Sequence, residues 1–167
     1  MSSNSEHKKQ EIKVNGRWQE VVTIFDSAGE VLSQMVNPLK VEFQLKDVLQ
    51  VIIGASLLAI PVGFTEETWH LGQQLPMANA IWFLILSLLF IGFFTYYNSY
   101  KSRMKNHWIE FFKRVIFTYL LSFAIVALLM TLIHQAPWDS DWVLALKRCL
   151  IVTFPCSLSG AVADTIK

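Results

Sequence analysis

Four apolar runs constrain this chain more than anything else in it: Val48–Phe64, Met77–Tyr97, Val115–Ile133 and Trp142–Ala163. Each approaches the ~20 residues that a helix needs to cross ~30 Å of hydrocarbon. Soluble domains also bury apolar stretches, but shorter ones, broken up by amphipathic helices. Here the runs are nearly uncharged and the connections brief. With 53% of residues hydrophobic and a mean hydropathy of +0.41, the composition leaves little for a water-facing surface. The fold class that follows is an all-α integral membrane protein. It has four transmembrane helices, at about 48–67, 77–97, 115–134 and 142–164, and a small N-terminal cytoplasmic β-meander.

The connections carry the orientation. The region up to Lys46 holds six Lys and Arg, and the second connection holds five: Lys101, Arg103, Lys105, Lys113 and Arg114. The connections after the first and third runs hold none, and carry Glu66, Glu67, Asp139 and Asp141 instead. The positive-inside rule then places both termini and the 98–114 loop in the cytoplasm of a plasma (inner) membrane. Trp69, Trp82, Trp138 and Trp142 are expected in an outer aromatic belt, and Tyr96, Tyr97, Tyr100 and Trp108 in an inner one. The 98–114 loop reads as a helical extension lying at the interface, with its aromatics in the headgroups and its cations toward anionic lipid.

Residues 1–10 are polar, lack the apolar core of a signal peptide, and are expected to be disordered. Residues 11–47 form the soluble portion. Ile12–Val14, Arg17–Phe25 and Val31–Val36 read as strands, joined by turns at Asn15-Gly16 and Asp26–Gly29. Val41, Phe43 and Leu45 alternate with polar residues and read as an extended arm or the lead into the first helix. A net charge of +1, without a basic and aromatic stripe, argues against nucleic-acid binding. Cys149 and Cys156 stand seven residues apart, ~10 Å along a helix, so they are expected as buried free thiols.

Ionisable groups inside or at the edge of a bilayer are costly and tend to mark function. Glu66 and Glu67 follow the first run closely. Pro61 leaves the Leu57 carbonyl without its helical donor, open to a hydroxyl, water or cation. Lys147 and Arg148 lie ~8 Å inside Trp142. They are expected either to snorkel outward or to pair with Glu66 or Glu67. Asp164 closes the fourth run. Spans one and four share a pattern: Pro61 before Thr65, Pro155 before Ser159, and small residues at four-residue spacing. The last are Ala55, Ala59 and Gly63 in one span, and Cys156 with Gly160 and Ser157 with Ala161 in the other. Tight helix packing is one explanation, an inverted internal relationship another. Glu67-x-x-His70 has the spacing of a di-iron carboxylate helix but lacks the further ligands, so no metal, cofactor or catalytic residue is expected. No nucleophile elbow, P-loop or zinc motif is present, and the chain does not read as an enzyme.

The segment Pro61-x-x-x-Thr65-Glu66-Glu67-x-Trp69, after Gly54-Ala55-x-x-x-Ala59, stands with the late Pro155-x-x-x-Ser159-Gly160-Ala161. Together they resemble a prokaryotic family of integral membrane proteins catalogued as a domain of unknown function. The resemblance spans roughly Val41–Thr165. It implies a multi-span membrane protein and supplies no activity or ligand.

The charges at both edges and the proline-broken spans point to an ion or small-solute channel or transporter component. Four spans rarely enclose a pore, so a homo-oligomer is expected. A scaffold or accessory subunit, binding a cytoplasmic or membrane protein through the β segment and the small-residue faces, is the alternative.

Overall fold

A computed structural model describes residues 6–14, 17–25, 31–38, 45–101 and 107–165. The chain divides into two units, Met1–Glu42 and Phe43–Lys167.

The first unit is a three-stranded antiparallel meander, β1 (Glu6–Val14), β2 (Arg17–Phe25) and β3 (Val31–Pro38), in that spatial order. Val14 pairs with Arg17 and Glu6 with Phe25, so the first hairpin is in register along its whole length. The second slips by one residue between Ile24 and Phe25. The three expected strands are present, but β1 begins at Glu6, inside the stretch expected to be disordered. A backbone ladder is indifferent to hydropathy, and Val21–Phe25 gives polar residues a strand to pair with. The turn residues 15–16 and 26–29, and 41–44 of the arm, lie outside the described residues. Gln19–Phe25 are half-buried, while Val31, Met35 and Val36 are exposed.

The second unit is a helical bundle: α1 (Leu45–Gly63), α2 (Glu66–Gln74), α3 (Met77–Thr95), α4 (Trp108–Leu132) and α5 (Trp142–Thr165). All but α2 are long and apolar enough to span a bilayer. The interior joins aliphatic residues such as Val51, Ile91, Val126 and Met130 to many small or polar ones, among them Ala55, Ala59, Ser87, Ser122, Cys149, Thr153, Cys156 and Ser157. Outside lie large apolar ones, including Leu57, Trp82, Leu89, Phe93, Leu128 and Leu132. That arrangement suits lipid as the solvent, because association then rests on close packing instead of apolar burial. Buried hydroxyls bond the preceding turn of their own helices, Ser87 to the Phe83 carbonyl, Ser122 to Thr118 and Thr153 to Cys149.

α5 is the hub and touches all four other helices. Its interface with α1 uses the expected small-residue faces. Ala55, Ala59 and Gly63 are buried on one side, and Cys156, Ser157, Gly160 and Ala161 on the other. Gly54 completes it, since a Cβ there would stand 2.5 Å from the Ala163 Cβ and 2.8 Å from the Ser159 carbonyl oxygen. Cys149 and Cys156 are buried free thiols of this core.

Two helix boundaries differ from expectation. The first span was expected to run to residue 67, but α1 stops at Gly63. The Thr65 hydroxyl donates to the Val62 carbonyl and the Trp69 indole to the Gly63 carbonyl. These bonds satisfy the ends freed after Pro61 and let the chain turn into α2. The third span is expected to begin at 115, but α4 starts at Trp108 and takes up residues 108–114 of the expected interfacial segment, of which 102–106 lie outside the described residues. It ends where His134 adopts a left-handed backbone, φ 58°, a common helix stop.

Candidate functional site

α5 is antiparallel to α1 and α4, which brings the start of those helices beside its end. There Arg114 donates from Nε and Nη2 to the Asp164 carboxylate, at 2.8 and 2.6 Å. Its Nη2 also stands 3.7 Å from Asp47 of α1. The second span joins through a change of helical pitch. α3 widens into a π-helical turn at Tyr96–Tyr100, and Tyr100 is fully buried, edge-on to Phe111 at 5.4 Å. The Arg114 guanidinium hydrogen-bonds the Tyr100 hydroxyl. Burial raises the Tyr100 phenol above its ordinary value, and the adjacent guanidinium opposes that rise. Arg114 and Asp164 each have side chains only 5% exposed. All four spans therefore meet at one buried ionic cluster.

The second cluster lies near the start of α5, sixteen residues earlier and ~24 Å along the helix. Arg148 donates from Nε to the Trp69 carbonyl, and from Nη1 to the Gln135 backbone carbonyl at 2.7 Å and its side-chain oxygen at 3.0 Å. Lys147 donates to the Leu75 carbonyl just past the end of α2. Gly72 makes room: a Cβ there would collide with the Arg148 Cγ. These bonds fasten α2 and the α4–α5 connection onto α5 with neutral acceptors. The acceptors are also well placed electrostatically, because free carbonyls at a helix C-terminus carry partial negative charge.

Each expected site residue now has a position. Glu66 and Glu67 are exposed in the first turn of α2, where their charge complements the helix dipole, and among the described residues neither makes an ion pair. The expected pairing with Lys147 and Arg148 does not form. Nor does Arg148 snorkel to water, because the break after α1 supplies carbonyls that satisfy it without a second charge. Pro61, Gly63 and Thr65 shape that break. Pro155 and Ser159 are half-buried in α5, and Gly160 is buried against Ser122 and Val51. Asp164 stands at the end of α5, as expected, and is buried there in the ionic cluster. Glu67 and His70 are both exposed on α2. Trp69 is half-buried, and Trp82, Trp138 and Trp142 are exposed. Tyr100 leaves the expected inner belt for the interior.

Sequence reasoning missed Asp47, Tyr100 and Arg114 as site residues. Arg114 was assigned to an interfacial segment facing lipid. Its signal was legible in the spacing, since Arg114, Thr118 and Ser122 form a four-residue polar stripe on an apolar helix. All three are buried. Tyr119 lies beside this stripe, with a buried hydroxyl that has no hydrogen-bond partner among the described residues.

No curated protein and no solved structure matches the chain. A family profile matches residues 7–166, and so both units, and by it the chain belongs to the family described as "Putative integral membrane protein (DUF2391)".

Proposed function

We propose that this protein is a component of a membrane transport system for ions or small solutes, with the Asp47–Arg114–Asp164 cluster as its gate. In this reading it works as a homo-oligomer in the plasma (inner) membrane, with both termini cytoplasmic. The observation that carries the reading is the unequal sharing of one guanidinium: Arg114 is held at 2.6 Å by Asp164 on α5 and stands 3.7 Å from Asp47 on α1. A cation between two carboxylates on different spans can change partner when the spans shift, so a small helix movement exchanges one ion pair for another. Such a buried charged group is also expensive enough to be a functional candidate by default.

Oligomerisation enters because four spans rarely enclose a pore, and Gly54 and Gly160 close the α1–α5 seam within one copy. A path for solute would run beside that seam, at the contact between copies or along helices that part on opening. Flux of monovalent ions into proteoliposomes tests the proposal. Arg114→Gln and Asp164→Asn are expected to change flux at least tenfold while the protein stays folded. Flux that both variants leave at the wild-type level refutes the gate.

One observation favours a scaffold or accessory subunit. α3 is sparsely buried, and Trp82, Leu89 and Phe93 are each more than 60% exposed along it. In that reading this face docks another membrane protein. Purification in mild detergent separates the two readings: a lone symmetric oligomer supports transport, and a stoichiometric co-purifying membrane protein supports the scaffold.

A further inference from the structure

Lys113 and Arg114 are neighbours in sequence and face opposite ways. Arg114 turns into the ionic cluster, whereas Lys113 is exposed on the outer face of α4. That face carries an open groove of about 450 Å³, whose walls include Ile109, Phe112, Ile116, Phe117 and Leu120, with Lys113 as its charged member. These positions fall on one stripe of the helix. Trp108 stacks on Phe112 at 6.0 Å and 25°, forming a flat aromatic shoulder at the end of the groove nearest the start of α4.

Two dimensions identify what fits. From Ile109 to Leu120 the stripe is ~16 Å long at the helical rise per residue. That is about half of a ~30 Å hydrocarbon layer, the depth of one leaflet. The exposed apolar face of α4 continues to Leu128 and Leu132, but the concavity itself ends at Leu120, and its charged member suits a headgroup better than a partner helix. The second dimension is direction. Side chains on a helix lean toward its N-terminus, so Lys113, four residues from Ile109, is directed toward the start of α4 and the groove's near end. An aliphatic slot one leaflet deep, with an aromatic shoulder and a cation at its mouth, matches an acyl chain attached to a phosphate.

We propose that this groove on α4 is a binding site for an anionic phospholipid, one acyl chain lying along Phe112, Ile116 and Leu120 and the phosphate on Lys113. In the orientation proposed above the site faces the cytoplasmic leaflet, where anionic lipid is the richer source of negative charge. The site stands on geometry that the transport reading does not use.

The test uses the full chain in detergent, with native mass spectrometry to count retained lipid. Phosphatidylglycerol is expected to remain bound at least fivefold more than phosphatidylcholine of the same chain length. Lys113→Gln and Lys113→Glu should remove that preference and Lys113→Arg should keep it. Ile116→Trp, which fills the slot without changing charge, should lower retention of both lipids. Inorganic phosphate at matched concentration should not displace the phosphatidylglycerol. Equal retention of the two lipids, a preference that survives Lys113→Glu, retention unchanged by Ile116→Trp, or displacement by phosphate alone would each overturn the proposal. Ion flux is a separate readout, so failure here leaves the gate to be judged by its own experiment.

Discussion

The two ends of α5 each hold a buried arginine, and they satisfy it in opposite ways. Arg148 is surrounded by neutral oxygens, from Trp69 and from Gln135. Arg114 is surrounded by groups that carry or can carry charge, Asp164, Asp47 and Tyr100. A guanidinium among carbonyls remains a cation with fixed partners, and its bonds act as a fastener between chain segments. A guanidinium between carboxylates on different helices sits in an arrangement whose balance changes with one shift of a helix. The same residue type can therefore act as a clamp at one end of a helix and as a switch at the other.

The largest effect should come from breaking the ionic end on one side only. Asp164→Leu leaves a buried guanidinium short of a carboxylate and is expected to cost ~3–5 kcal/mol, read by unfolding in detergent. The double replacement Arg114→Leu with Asp164→Leu should recover most of that loss, because removing both charges removes the desolvation cost as well. Recovery of stability without recovery of flux would sharpen the contrast between holding the fold and gating. At the other end, Arg148→Leu strands several carbonyls, each worth ~1–3 kcal/mol if left unsatisfied. Its effect should be a loosening of α2, measured as faster hydrogen exchange over Glu66–Gln74. Uniform exchange across the bundle would show that this end is not a local clamp.

Gly72→Ala should act in the same direction but more weakly, ~1–3 kcal/mol, as the new methyl displaces the Arg148 stem. The smallest effect is a pH dependence of the ionic end. Burial raises the folded Tyr100 phenol, so the folded protein resists an ionisation that the unfolded chain undergoes near 10.0. Its contribution is intact below that pH and is lost as pH rises through the folded value. Tyr100→Phe should flatten the alkaline limb of a stability profile, and an unchanged limb would detach Tyr100 from the cluster.

The four spans and the α1–α5 seam were legible because hydropathy and small-residue spacing are local properties of sequence. The charged clusters were less legible, and for two different reasons. Hydropathy treats a charged residue as the end of a span, so Arg114 marked a boundary when it stands inside α4. Its four-residue stripe with Thr118 and Ser122 contradicted that boundary. The partners of Arg148 had no such trace. They are backbone carbonyls of Trp69 and Gln135, which every residue possesses, and their availability depends on a chain reversal after Gly63. Glu66 and Glu67 drew attention as the nearest carboxylates, yet a helix N-terminus was enough to accommodate them in solvent.

The central place of α5 bears on how the protein is made. Synthesis proceeds from the N-terminus, so the segment that touches every other helix is the last of the five to reach the bilayer. Until it does, α1 and α4 expose to lipid the faces that α5 will cover, and Arg114 waits without Asp164. Assembly is therefore expected to be a late, all-at-once step, leaving earlier insertion intermediates open to quality-control proteases.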